Sequence, residues 1–222
     1  MKNLEYYNKK EGVYKLSGGR EKILSGLILD NVKTVLDVGC GSGDLARILQ
    51  AKGKVVSGAD ISQAALDVAK PYLYRSFCFD IQQDFWPAEL MNQKFDLVVA
   101  SEVIEHIFMP ADFLEKTKSL VTSGGYLIIT TPNFLFWKNR LKMLFGNFRY
   151  EQKGLLDFGH IRFFTLKTAR EIFSKAGFTI QQEQHFYPNL YKRRLNFIGR
   201  IFPGLFAYQF GFRLILQKNN LS

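Results

Sequence analysis

Three short apolar runs in this chain each end at an acid. "TVLDV" carries Asp37, "VVSGAD" ends in Asp60, and "FCFDI" contains Asp80. The first run leads directly into "GCGSG", where Gly39, Gly41 and Gly43 alternate with Cys40 and Ser42. Glycines so spaced remove Cβ atoms and permit positive φ, so a ligand can lie on bare backbone, with Cys40 offering only its peptide group. A pyrophosphate-binding turn would read G-x-G-x-x-G. Here the spacing is G-x-G-x-G, and the Asp37 carboxylate would repel a phosphate and suit an ammonium group.

The other two acids extend the same reading. Asp60 follows Gly43 by 17 residues and can accept hydrogen bonds from both hydroxyls of a ribose. Ile61 beside it can pack on a purine face. Asp80 can accept from an adenine amino group, next to Ile81. An ammonium, a ribose and an adenine in one ligand point to S-adenosylmethionine. An NAD-dependent oxidoreductase is disfavoured by the glycine spacing and by Asp37.

The elements that must position these residues follow from hydrophobic period. Buried strands are expected at 34–38, 55–59, 76–79, 95–100 and 126–131, with helices at 44–52, 63–72 and 110–121. Near-continuous apolar strands imply burial on both faces and a parallel sheet. The alternation implies a doubly wound α/β fold with ligands at the carboxyl ends of the strands. A helix at 20–29 is expected against the sheet edge. Thr165 reads as an N-cap and Gly177 as a helix stop. Two late strands, 178–186 and 209–217, are expected to be antiparallel.

Candidates for the second substrate lie beyond strand 4. "SEVIEHI" puts Ser101 and Glu102 at that strand's end, facing the cofactor. If the stretch opens a helix, Glu102 and His106 share a face, and His106 is a candidate base. Its bland reading is a histidine that caps the turn. The Glu-x-x-Glu-His spacing of Glu102, Glu105 and His106 could be misread as a metal site, but the sequence offers no matching ligand to complete it, so no metal is expected. His160 and Arg162 in "DFGHIRFFT" can bind an anionic acceptor group, and His160 can take a proton. Asn133 at the end of strand 5 either meets the acceptor or caps the next helix.

Charge divides the chain. Residues 1–132 hold 15 Lys/Arg and 16 Asp/Glu, whereas residues 133–222 hold 15 and 4, with 20 of the 33 aromatic residues. A basic, aromatic second half suits an anionic partner. "FLFWKNRLKMLFGNFRY" carries Lys138, Arg140, Lys142 and Arg149, and "YKRRLNFIGRIF" carries Lys192, Arg193, Arg194 and Arg200. They read either as a lid whose aromatic face covers the acceptor or as a peripheral membrane contact. Nucleic acid is not expected, for want of an extended basic surface. One domain is expected over 1–222, with 30–132 holding the cofactor and 133–222 the acceptor. Two cysteines suggest no disulfide framework, and Cys78 reads as a buried strand residue. No apolar run approaches the about 18 residues that span a bilayer. No secretory signal is read at the N-terminus. The expected location is cytoplasmic, with or without membrane contact.

Taken in order, "VLDVGCGSG", "GADIS", "FDLVVASEVIEHI" and "GGYLIITTPN" resemble the motifs of class I S-adenosylmethionine-dependent methyltransferases. The resemblance implies a seven-stranded Rossmann-like sheet, 3-2-1-4-5-7-6, with strand 7 antiparallel and a helical lid insert after strand 5. The later "TPNFLFWKNRLKMLFG" and "GHIRFFTLKTAREIFSKAGF" are similar to MetW-like and type 11 members. "SEVIEHI" looks more like the ubiquinone-biosynthesis O-methyltransferases. The resemblance implies Asp37 near the methionine moiety, Gly39, Gly41 and Gly43 under the cofactor, Asp60 on the ribose, and Ile61 and Asp80 around the adenine. It implies methyl transfer to a small or lipid-linked acceptor, most simply on oxygen. The rival reading is a non-catalytic S-adenosylmethionine-binding partner protein.

Overall fold

The structure, a computed structural model, describes residues 16–152, 154–188 and 199–217. Seven strands form one sheet in the order β3-β2-β1-β4-β5-β7-β6. These are β1 (Thr34–Val38), β2 (Val55–Asp60), β3 (Arg75–Cys78), β4 (Phe95–Ser101), β5 (Val121–Pro132), β6 (Phe178–Phe186) and β7 (Gln209–Leu216). β1 pairs in parallel with β2 and β4, and β5 in parallel with β4; β7 runs antiparallel to both β5 and β6. The expected order and the reversed seventh strand are both present.

The central strands are apolar on both faces because helices cover both faces. One core layer gathers Leu36, Val38, Val98, Ala100, Leu127 and Ile129, together with Phe113, Phe173, Phe210 and Phe212. The opposite layer holds Val35, Val56, Leu97, Val99, Ile128 and the apolar side of α1 (Gly18–Leu27). The alternation of neighbours such as Val98 and Val99 between the two layers is the pleat at work.

Several expected elements shift. β5 begins at Val121, directly after helix Pro110–Leu120, rather than at Tyr126. Val121 pairs with Phe95 and Tyr126 with Leu97, so an irregularity at 122–125 absorbs the extra residues. Gly125 serves it, because a Cβ there would stand 2.7 Å from the Asp96 carbonyl oxygen. Cys78, expected in the core, is exposed. β3 is an edge strand of which Phe77 alone is buried, so Cys78 falls on its open face. α1 packs against the edge strand β6, as expected, and reaches on across β7 to β5. Gly211 permits this approach, since a Cβ there would collide with Ile23 Cγ2.

The basic segment after β5 forms α6 (Trp137–Leu144), numbered after α2 (Asp44–Gln50), α3 (Gln63–Ala69), α4 (Ala88–Met91) and α5 (Pro110–Leu120). Helix α7 (Leu166–Lys175) then starts at Thr165, whose hydroxyl accepts the Thr168 N–H at 3.1 Å in a capping box. Gly177, at φ 78°, follows it in the left-handed conformation expected of a helix stop. Lys192, Arg193 and Arg194 lie outside the described residues.

Candidate active site

The turn between β1 and α2 is built by backbone. The Gly39 and Cys40 N–H groups both donate to the Ala59 carbonyl, at 2.7 and 3.1 Å, which ties the turn to β2. Gly39, Gly41 and Gly43 have φ of 73°, 51° and 80°. A Cβ on Gly39 would stand 2.7 Å from Val103 Cγ2, and one on Gly43 2.8 Å from the Ala69 Cβ. Gly41 differs, since a Cβ there would meet nothing within 4 Å. Two glycines are therefore demanded by packing as well as by φ, and the middle one borders open space.

That space is a cavity of about 180 Å³ at the carboxyl ends of β1, β2, β3 and β4. Asp37, Gly39, Cys40, Gly41, Asp60, Ile61, Asp80, Ile81, Ser101, Glu102 and His106 all line it. Gly43 lies behind the turn and shapes it through Ala69. Reasoning from sequence missed a second wall from the N-terminal helix and the loop before it, Leu16, Arg20 and Leu24. Nothing in the local pattern of "LSGGREKIL" marks that role; only the docking of α1 across β5, β7 and β6 brings it there.

Burial sets the electrostatics. Asp37 is 4% exposed, and its burial, with the Asp60 charge beside it, pushes its pKa up to about 7. Burial likewise raises Asp60, against the opposing pull of backbone N–H donors at Ser62, Gly41 and Ile61. Asp60 Oδ2 accepts the Gly41 N–H at 2.8 Å and Oδ1 the Ser62 N–H at 2.9 Å. One carboxylate thus fixes the glycine turn while keeping acceptor lone pairs towards the cavity. Asp80 Oδ1 accepts the Gln82 N–H at 2.9 Å. The Cys40 thiol is raised by burial first and then by Asp37 and Asp60. It is therefore no nucleophile, and only its backbone matters at the turn.

These residues fit S-adenosylmethionine. The fit rests on a buried carboxylate on the glycine side of the cavity, an acid at the end of β2, and a bare turn that side chains would fill.

The far end of the cavity departs from the helical expectation. Glu102 sits at φ 59°, and only a short 3-10 turn, Ile104–His106, follows. The strained residue is held by bonds to β5: its N–H donates to Thr130 Oγ1 and O, both at 3.1 Å, and Thr130 Oγ1 donates to Glu102 Oε1 at 3.1 Å. Ser101 Oγ lies 2.9 Å from the same hydroxyl. Burial raises the Glu102 pKa, which the Arg20 charge opposes. Glu102 and His106 reach the same cavity through this bend rather than through a shared helix face.

The remaining candidates stand elsewhere. Asn133 is fully buried, and its amide donates to the Gly204 and Ala207 carbonyls at 3.1 and 2.7 Å. Its Oδ1 accepts the Leu135 N–H at 3.1 Å, so the side chain joins loops, with both amide hydrogens already used. Arg162 Nε donates to the Phe108 carbonyl at 3.2 Å from an exposed position. His160 is buried, with its ring centroid 4.9 Å from that of His106. The absence of a third metal-type ligand, expected from sequence, is corrected here. Atoms of Glu105, His106 and His160 able to bind a metal lie within 4.8 Å of one another.

Comparison with known proteins agrees with this arrangement. Residues 10–183 match the model of the methyltransferase domain family. Similar relatives are ubiquinone biosynthesis O-methyltransferases. The protein of Nitrosomonas europaea is 35% identical over 116 residues, 51% of this chain and 48% of that one. The protein of Thiobacillus denitrificans is 38% identical over 104 residues, 46% and 45% of the two chains. The matches thus span about half the length of these curated relatives. Among solved structures, an S-adenosylmethionine-dependent methyltransferase of Clostridium acetobutylicum superposes with a TM-score of 0.63 at 16% identity, covering 98% of this chain and 99% of the other. Magnesium protoporphyrin IX methyltransferase of Synechocystis, solved with bound S-adenosylhomocysteine, gives 0.61 at 18% identity, covering 98% and 95%. With most of its length matched by the family model, the chain belongs to the methyltransferase domain family, as a class I S-adenosylmethionine-dependent member.

Proposed function

We propose that this protein methylates a hydroxyl oxygen on a small, lipid-linked acceptor. The observation that carries the reading is the extent of the cavity, which continues past Ser101 to His106 and Ile107. A ligand held by Asp37, Asp60 and Asp80 leaves space beside its sulfonium at that end. A non-catalytic binding protein has no need of such space. Similarity to ubiquinone biosynthesis O-methyltransferases supports oxygen as the acceptor atom.

When bound, S-adenosylmethionine supplies an activated methyl group: the acceptor oxygen forms the new O–C bond while the C–S bond breaks and its electron pair stays on sulfur. The chain does the rest by alignment and exclusion of water. Asp37 balances the ammonium, and Asp60 and Asp80 hold ribose and adenine. A hydroxyl must also give up its proton, and His106 is the imidazole on that wall. Its Nδ1 lies 2.7 Å from the Gly159 carbonyl, so Nδ1 carries the hydrogen and Nε2 is the nitrogen able to take a proton.

The lipid-linked part of the reading rests on the segment after β5. Phe134, Phe148, Tyr150, Phe158 and Phe163 form one aromatic cluster in contact. Leu144 and Phe145, in the same segment of the chain, are 76% and 78% exposed. Arg149 lies between Phe148 and Tyr150 in the chain, Lys138 stands over the Trp137 ring at 5.6 Å, and Lys142 pairs with Glu151 at 2.7 Å. Exposed aromatics with a basic surround suit an anionic bilayer surface and a substrate drawn from it. Among the described residues no helix is long and apolar enough to cross a membrane.

The test is methyl transfer from labelled S-adenosylmethionine to catechols with and without a long alkyl chain, in anionic vesicles. Product on the chained catechol supports the reading. Tight S-adenosylhomocysteine binding with no transfer to any hydroxyl acceptor sinks it.

A further inference from the structure

We propose that Glu105, His106 and His160 form a binding site for one divalent first-row transition ion, of which Zn²⁺ suits the donors best. Sequence spacing hides the site, because 53 residues separate the two histidines, paired at ring level only in the folded chain.

The site is built from the backbone outward. The Ile161 and Arg162 N–H groups donate to the Glu105 carbonyl, at 3.0 and 2.9 Å, which clamps the His160 loop onto the turn after β4. His160 Nδ1 lies 3.1 Å from the Leu155 carbonyl, as His106 Nδ1 lies 2.7 Å from that of Gly159. A carbonyl only accepts, so both rings carry their hydrogen on Nδ1. Metal-binding imidazoles are oriented in this way, with the outer nitrogen donating to a carbonyl or carboxylate.

Glu105 supplies the independent observation. It is 1% exposed, and neither carboxylate oxygen meets a donor in bonding geometry. The nearest donor is the Thr131 hydroxyl, which stands beside the carboxylate short of full bonding geometry and only partly offsets its burial. His160 Nε2 is 3.9 Å from Glu105 Oε1, beyond hydrogen-bond length. A buried carboxylate without donors is costly, and a cation is one remedy. Its burial, and then the Glu102 charge, raise its pKa well above the usual range, so the alternative remedy is a proton. Two imidazoles and one carboxylate are the donor set of catalytic zinc sites that keep an open position. Their present spread, within 4.8 Å, exceeds the about 3.3 Å between ligands of a tetrahedral shell, so loading draws them inward.

The open position would face the cavity, because His106 is the member that lines it. An acceptor hydroxyl bound there would be acidified, its proton passing to solvent before the oxygen takes the methyl group. His106 then serves as a ligand rather than as a base. This role rests on the proposed function; the binding of the ion does not.

The experiment titrates the full chain, stripped with chelator, with Zn²⁺ and with Co²⁺. The readouts are calorimetry and the visible spectrum of the cobalt form, with S-adenosylhomocysteine titrated on the same preparation. One ion per chain is expected, with Mg²⁺ binding far more weakly. Glu105→Gln and His160→Gln should each weaken Zn²⁺ by more than about 100-fold while retaining S-adenosylhomocysteine affinity. His185→Gln, at the one other histidine of the chain, should change nothing. No stoichiometric ion, Mg²⁺ bound as tightly as Zn²⁺, or binding indifferent to both substitutions overturns the site. Should the variants not fold, the cobalt spectrum of the wild type decides: octahedral, weakly absorbing Co²⁺ overturns the assignment. Failure of the methyltransferase reading would show separately, as absent S-adenosylhomocysteine binding.

Discussion

The two ends of the cavity are made by different means. At the β1–β2 end, each contact comes from a short stretch of neighbouring sequence, and the backbone does most of the holding. Gly39, Cys40 and Gly41 donate to Ala59 and Asp60 over 2.7–3.1 Å, and no long side chain is needed. At the β4–β5 end the walls come from distant segments: Glu102 on Thr130, His106 on Gly159, the His160 loop on Glu105. The first end is fixed by backbone hydrogen bonds and suits a cofactor that many acceptors can share. The second is assembled from long-range side chains, where a family can vary its substrate.

Substitutions at the glycine turn should do the most damage. Gly39→Ala forces a Cβ into Val103 at 2.7 Å and a left-handed φ of 73° on an L-residue. A cost of about 1–3 kcal/mol in stability is expected, with S-adenosylhomocysteine affinity falling by more than about 100-fold. Thermal melts and calorimetry would show it, and near-normal binding would mean that the turn is not the cofactor cradle. The same change at Gly41, where a Cβ meets nothing, should harm folding less than binding.

Asp60→Ala comes next. It removes the ribose acceptor and the anchor of Gly41 and Ser62, so affinity should drop by about 10- to 100-fold. Unchanged affinity would take the ribose from Asp60.

Asp37 allows a gentler test through pH. Its folded pKa, about 7, lies above the ordinary 3.8 of an aspartate. Between those values the native state holds a proton that the unfolded chain has lost. Its contribution to stability is therefore present below the lower value and lost as pH rises through the upper one, with a slope of at most about 1.4 kcal/mol per pH unit. A ligand ammonium favours the charged form, so binding should release a proton below pH 7 and tighten towards pH 8. Calorimetry in two buffers of different ionisation enthalpy measures this, and Asp37→Asn should abolish it. A proton count of zero in the wild type would remove Asp37 from the ammonium.

The smallest effect on the fold is expected where the vesicle effect should be plain. Phe145→Ser, at a residue 78% exposed, should leave stability within about 0.5 kcal/mol and S-adenosylhomocysteine binding unchanged. Co-sedimentation with anionic vesicles should fall severalfold. Equal sedimentation of the two proteins would make the patch a lid alone.

The contrast between the two ends explains what could be read in advance. Local patterns reported local structure. The apolar run Thr34–Val38, the glycine spacing, the acid after each strand and the Thr165 cap were all legible because neighbours in sequence decide them. Three features were not. "SEVIEHI" has a helical look, but Glu102 bends at φ 59° because Thr130 on the neighbouring strand holds its N–H. Asn133 has the type and place of an acceptor contact, but the Gly204 and Ala207 carbonyls claim its amide. Cys78 has a core residue's chemistry, but β3 lies at the edge.

By itself the sequence determined the strands of a parallel sheet and a cofactor-binding end, because hydrophobic period and glycine placement act over a few residues; the order of the strands followed only from the family resemblance. Tertiary structure alone decided that α1 supplies Arg20 to the cavity and that His160 stands beside His106 and Glu105. Those pairings depend on chain closures of tens of residues, which leave no mark on local spacing; only the packed sheet fixes their distances.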